Sequence, residues 1–157
     1  MEVKNGDFRC SNYSNRFDEA LQLFWGYWGQ ENNKPFYEQC MLNANGPDGI
    51  PRFYVASVEG EFVGTYALLR NDINSRHDLY PWFACLYVKE EHRGKGIASE
   101  MLRHAEGVAK SLGFKMLYLD SNLEGFYEKL GWVENGITHD PFGNSAKIYE
   151  KSLEVVK

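Results

Sequence analysis

Positive charge is scarce in this chain. Lys and Arg number 17 against 22 Asp and Glu, for a formal net charge of −5. A general nucleic-acid binder needs a basic face that displaces counterions, so that class of partner is set aside. Cysteine is scarce as well. Cys10, Cys40 and Cys85 lie far apart and no C-x-x-C pair exists, so neither a disulfide framework nor a structural zinc site is expected. His92 and His104 lack metal-ligand spacing, and no metal is expected. No window approaches the ~18 apolar residues of a membrane span. The opening MEVKNGDFRC has no apolar core and no cleavage site, unlike a signal peptide. The expectation is a cytoplasmic protein with no membrane partner, monomeric or homodimeric.

What remains is globular. The 157 residues fit one domain, 1–157, large enough to bury a core without staples. Arg16 to Trp28 sets Phe17, Leu21, Phe24, Trp25 and Trp28 on one helical face. Pro35 to Leu42 reads as a second, short helix with proline in its first turn. Asn43 to Pro51 is a loop. Arg52 to Val58 and Phe62 to Leu69 read as a hairpin about Glu59-Gly60-Glu61. Asn71 to Asp78 is polar loop. Tyr80 to Val88 is nearly all apolar, as in a strand covered on both faces. Gly96 to Leu112 is helical and stops at Gly113. Phe114 to Asp120 is a strand, Leu123 to Leu130 a short helix, and strands follow from Trp132 and over Ala146 to Leu153. The order predicts an α/β fold around a mixed sheet.

The stretch LYVKEEHRGKGIASE, Leu86 to Glu100, carries the chemistry. A strand ends at Val88 and a helix opens near Gly96. The first helical N–H groups lack internal partners and the macrodipole adds positive charge. Gly94 and Gly96 let the backbone approach a ligand closely, and Arg93 and Lys95 add full charges. Such a terminus can bind phosphate. It can also be a surface turn with solvated charges. Neither the P-loop pattern nor the Rossmann pattern fits, since Ser99 stands where the latter needs its third glycine.

Arg93-Gly94-Lys95-Gly96-Ile97-Ala98 does match the [RQ]-x-x-G-x-[GA] signature of the GNAT superfamily of acyl-CoA N-acyltransferases. GFYEKLGW, Gly125 to Trp132, resembles that superfamily's second signature, with a predicted strand between the two. DLYPWFACLYV, from Asp78 to Val88, is similar to a bacterial-type subgroup. The resemblance covers residues 52 to 153. It implies a mixed sheet with two splayed central strands, helices on both faces, and acetyl-CoA as cosubstrate. It implies pyrophosphate on the amides of Arg93, Gly94, Lys95, Gly96, Ile97, Ala98 and Ser99. Leu86, Tyr87 and Val88 would hold the pantetheine arm, with Asn122 and Phe126 also on the cofactor. Tyr127 would protonate the leaving thiolate; otherwise it is a core aromatic.

The chain departs from the pattern in two places. Many relatives carry an asparagine where Asp120 stands. Some carry a glutamate base where Trp82 stands, which leaves the base open; Asp78 ranks first, with His77 and Glu124 behind it. Trp25, Trp28, Tyr80, Trp82 and Phe83 are candidates for the acceptor's walls, with Asp72 or Asp78 suited to a cationic amine. The implied reaction is direct acetyl transfer to a primary amine, on a small molecule or a protein. A CoA-binding domain without catalysis and an interaction module on the same fold are the alternatives.

Overall fold

A computed structural model describes residues 8–13 and 15–154. Its elements are β1 (Phe8–Ser11), α1 (Phe17–Trp28), α2 (Lys34–Leu42), β2 (Arg52–Val58), β3 (Glu61–Leu69), β4 (Trp82–Val88), α3 (Ile97–Ser111), β5 (Met116–Ser121), β6 (Val133–His139) and β7 (Ser145–Ser152). The strands form a mixed sheet ordered β1-β2-β3-β4-β5-β7-β6. The chain divides into two compact units. The first takes the described residues up to Ala67 together with Cys85–His104. The second takes Leu68–Ala84 and the residues from Ala105 onward.

In the first unit, the alternation of β2 decides which helix covers which face. Phe53 meets Phe24 of α1 edge-to-face, ring centroids 5.4 Å apart, a contact worth roughly 0.5–1.5 kcal/mol beyond area burial. Tyr54 points the other way and meets His104 of α3. Helices therefore cover both faces. α1 forms because Ala20, Leu21 and Phe24 share a buried stripe, while Asp18 and Glu19 favour its positive N-terminal end. α3 buries Ile97, Met101, Leu102, Ala105 and Ala109 at helical spacing. Gly64 of β3 sits where its strand runs tight: a Cβ there would lie 2.7 Å from the Tyr87 carbonyl and 2.9 Å from Met101 Cε. β1, which local pattern did not announce, pairs antiparallel with β2 from Phe8↔Val58 to Ser11↔Val55.

In the second unit, β4 and β5 pair in parallel with Trp82 opposite Tyr118. β7 runs antiparallel to β5 and to β6. The core is Leu117, Leu119, Tyr127, Trp132, Ile148 and Tyr149. The expected helix over Leu123 to Leu130 is reduced to a 3-10 turn at Glu128–Leu130. Its bonds are the short-range kind, Leu130 to Tyr127 and Gly131 to Glu128. Trp82 and Phe83, expected in an acceptor wall, are instead fully packed core, and Trp82 Nε1 donates to the Leu79 carbonyl at 2.7 Å.

Candidate active site

The glycine turn belongs to the first unit. β4 changes character at Cys85, which adopts φ +58. Before it the strand is buried; from it onward, Leu86, Tyr87 and Val88 are half-buried. Thr65 fixes the kink by donating its hydroxyl to the Cys85 carbonyl at 2.8 Å. After Val88 comes a 3-10 turn, Glu90–His92, then Gly94 and Gly96 at φ +78 and +81, then α3. Among the described residues, the amides of Gly94 to Ser99 donate to no carbonyl. They form an open row of donors at the positive end of a 15-residue helix. A Cβ added at Gly94 would meet nothing within 4 Å beyond its chain neighbours. Lys95 is exposed beside them. Arg93 is committed differently: its Nε donates to the Val88 carbonyl at 2.8 Å, and its guanidinium lies 5.8 Å from the Tyr87 ring centre. Tyr87 also stacks on Tyr27 of α1 at 4.0 Å. An anion with two phosphates fits such a row of donors.

The second unit holds a separate group of polar side chains. Tyr127 is buried among Phe126, Trp132 and Tyr149. Burial raises its phenol above the ordinary value, against a hydrogen bond from Ser121 that lowers it; the Asp120 carboxylate raises it further. The phenol is therefore fully protonated at neutral pH. Asn122 is exposed and donates to the Ser145 carbonyl at 3.1 Å, which ties the end of β5 to β7.

The loop over residues 70–81 is ordered by its own asparagines. Asn74, buried, accepts from Arg76 N at 3.0 Å and donates from Nδ2 to Asp120 Oδ2 at 2.9 Å. Ser75 N donates to the His139 carbonyl at 2.8 Å. The loop is thus stitched to β5 and β6. Its two aspartates have opposite fates. Asp78 is exposed and takes both oxygens to Arg76, Nε at 2.9 Å and Nη2 at 2.8 Å. That pair pulls its carboxyl down to about 2. Against a lysine-type ammonium near ~10.4, such a carboxylate is a very weak base. Asp72 is half-buried, and burial together with the Asp120 charge pushes it up to about 8. Asp120 itself is raised, by burial first. The hydrogen bond from Asn74 to Asp120 joins segments far apart in sequence, so it was not readable from the chain.

Residues 17–132 match the model of the Acetyltransferase (GNAT) family. The chain belongs to the GNAT family. Human N-acetyltransferase 8B is 34% identical over 89 residues, 54% of this chain and 39% of that protein. N-alpha-acetyltransferase 30 of Schizosaccharomyces pombe is 28% identical over 88 residues, 52% of this chain and 58% of that protein. The matches thus span less than two thirds of those curated relatives. An aminoglycoside 6'-N-acetyltransferase crystallised with coenzyme A shares the fold, with TM-score 0.67 at 16% identity over 95% of this chain and 99% of that one. For this GNAT chain, among the described residues, no group of three or more His, Cys, Asp or Glu is placed to hold a metal. No described helix is long and apolar enough to cross a membrane.

Proposed function

We propose that this chain transfers an acetyl group from acetyl-CoA directly to a primary amine. The observation that carries the reading is the row of unpaired amides from Gly94 to Ser99 at the head of α3, following the kink at Cys85. When bound, acetyl-CoA supplies the acyl group as an activated thioester. The chain's own residues do the rest. The amides of Gly94 to Ser99, with Lys95, hold the pyrophosphate. The backbone of Leu86, Tyr87 and Val88, half-exposed past Cys85, lies alongside the pantetheine arm. Tyr127, kept protonated at Oη by burial, is the group assigned to give a proton to the leaving thiolate, in concert with thioester cleavage because the thiolate is the weaker base.

The relatives are named for different acceptors, an N-alpha-acetyltransferase for one and an aminoglycoside 6'-N-acetyltransferase for another. The test is release of CoA from acetyl-CoA across primary amines: spermidine, kanamycin and a peptide with a free N-terminus. Amine-dependent release is expected with at least one. CoA binding without release for any nucleophile would leave a binding domain and end the transferase reading.

A further inference from the structure

In the first unit, the end of α2, the loop after it and the start of β2 surround a cavity of about 270 Å³. That is near the lower end of the size range of small-ligand sites. Its lining includes Tyr13, Met41, Leu42, Asn45, Arg52 and Tyr54, and no Asp or Glu. Arg52 is half-buried. Its Nε donates to the Gly49 carbonyl at 2.7 Å and its Nη1 to the Tyr54 hydroxyl at 3.1 Å. Arg16, Arg76 and Arg103 each pair with a carboxylate; among the described residues, Arg52 pairs with none. A guanidinium carries five N–H donors. Two are spent here, which leaves one on Nη1 and both on Nη2. Tyr54 is only 8% exposed. Its hydroxyl oxygen accepts from Arg52, and among the described residues its own proton reaches no acceptor. A buried hydroxyl proton and a half-buried cation stand side by side, and both lack an acceptor. Leaving such donors unmatched is costly, and an anion satisfies both.

We propose that this cavity binds a small carboxylate with a short aliphatic body. The carboxylate lies against the free end of the Arg52 fork, which matches two oxygens at once. One of those oxygens also accepts the Tyr54 proton. The aliphatic body rests on Met41, Leu42 and Phe53, which supply carbon surface in the same lining. With no acid in the lining, nothing there holds an ammonium, so a free amino acid is a poor fit. Inorganic phosphate would gain from the charge but not from the carbon walls. One effect opposes any anion here. Met41 and Leu42 end α2, and a helix C-terminus carries about half a negative charge. The Gln39 and Met41 carbonyls at that end already accept from the amides of Asn43 and Ala44, and the full charge of Arg52 outweighs the remainder. No lining residue belongs to the turn before α3. The site is thus separate from the one assigned to CoA and does not depend on acetyl transfer.

The probe is butyrate, titrated into the full chain at pH 7 and followed by proton–nitrogen NMR at arginine Nε–H and backbone amides. Saturable shifts are expected at Arg52 Nε and at the amides of Asn45 and Tyr54, with Kd on the order of 1 mM or tighter. n-Butanol keeps the body without the charge, and phosphate keeps the charge without the body. Acetate keeps the carboxylate and loses most of the body. Each should bind about tenfold more weakly or not at all. Arg52→Lys keeps the charge and loses the fork, so affinity should fall about tenfold. Tyr54→Phe keeps the ring and loses the donor, so affinity should fall by about fivefold or more. Arg52→Gln should abolish saturation. Because Arg52 also holds the Gly49 carbonyl, Ala44→Phe provides a second variant that fills the cavity and leaves the guanidinium in place; it should abolish saturation as well. Melting verifies that each variant is folded. Wild-type affinity for butyrate in folded Arg52→Gln or Ala44→Phe overturns the proposal, as does the absence of saturable binding. n-Butanol, acetate or phosphate binding as tightly as butyrate overturns the assigned ligand class. Displacement of butyrate by CoA, with shifts at Gly94 to Ser99 in place of Arg52, puts the probe at the head of α3 and also overturns it.

Discussion

Asp72 and Asp78 share one loop, and their neighbours drive their acidity in opposite directions. The direction has a consequence for stability as well as chemistry. A carboxyl whose folded value is raised binds its proton more tightly in the native state. Stability is then highest below the unfolded value near ~3.9 and falls as pH rises towards about 8, above which it is level. Asp72→Asn removes that charge. The variant should be more stable than wild type at pH 9, by on the order of 1 kcal/mol or more, with the difference vanishing near pH 4. Urea unfolding at the two pH values measures it; a variant less stable at pH 9 would mean that the carboxylate is a favoured partner rather than a tolerated charge. Tyr127 invites a different substitution. Tyr127→Phe keeps the ring packed on Phe126, Trp132 and Tyr149 and removes only the proton donor. Turnover should fall on the order of 10²-fold while CoA affinity changes less than about threefold. Retained turnover would return Tyr127 to the core.

At the scale of elements, the place where β3, β4 and α3 meet is set by one residue without a side chain. Any Cβ on Gly64 would strike the Tyr87 carbonyl and press on Met101. The carbonyl belongs to a strand and cannot swing away like the end of a side chain. Gly64→Ala should therefore cost roughly 1–3 kcal/mol by overpacking, and should also lower CoA affinity because Tyr87 lies on the strand assigned to the pantetheine arm. A loss of stability with unchanged CoA affinity would separate the packing from the site. Much of this level was legible beforehand. Periodicity marked α1 and α3, a first-turn proline marked α2, a turn between two apolar runs marked the hairpin of β2 and β3, and paired glycines marked the turn before α3. What escaped has physical reasons. β1 is four residues long and is defined by its partner β2, not by its own pattern. The eight-residue helix expected before Gly131 has helical spacing but only 3-10 bonding. The kink at Cys85 lies in an unbroken apolar run where a residue's φ leaves no trace in composition. The Asn74–Asp120 hydrogen bond joins distant segments, which no local window contains.

For the whole molecule the problem is one of sign. A chain of net charge −5 is here assigned a polyanionic ligand, so the attraction must be local. The open amides and dipole of α3 supply it without changing the net charge, and Lys95 adds a full positive charge exposed beside them. Two measurements follow from that locality. A ligand that binds only the native state stabilises it by RT ln(1 + [L]/Kd), about 2.7 kcal/mol at a hundredfold excess over Kd. For a chain of this length, CoA at that excess should raise Tm by about 5–10 °C. Gly96→Asp puts a carboxylate in the cradle and a side chain where φ is +81, so CoA affinity should fall at least ~100-fold. At the same CoA concentration its Tm should then rise by less than about 2 °C. A low-salt buffer should strengthen wild-type binding only modestly, since the donors are mainly backbone dipoles held at close range, and long-range charge repels the ligand. If Gly96→Asp is folded and its Tm responds to CoA as wild type does, the ligand sits elsewhere and the head of α3 is a turn with solvated charges.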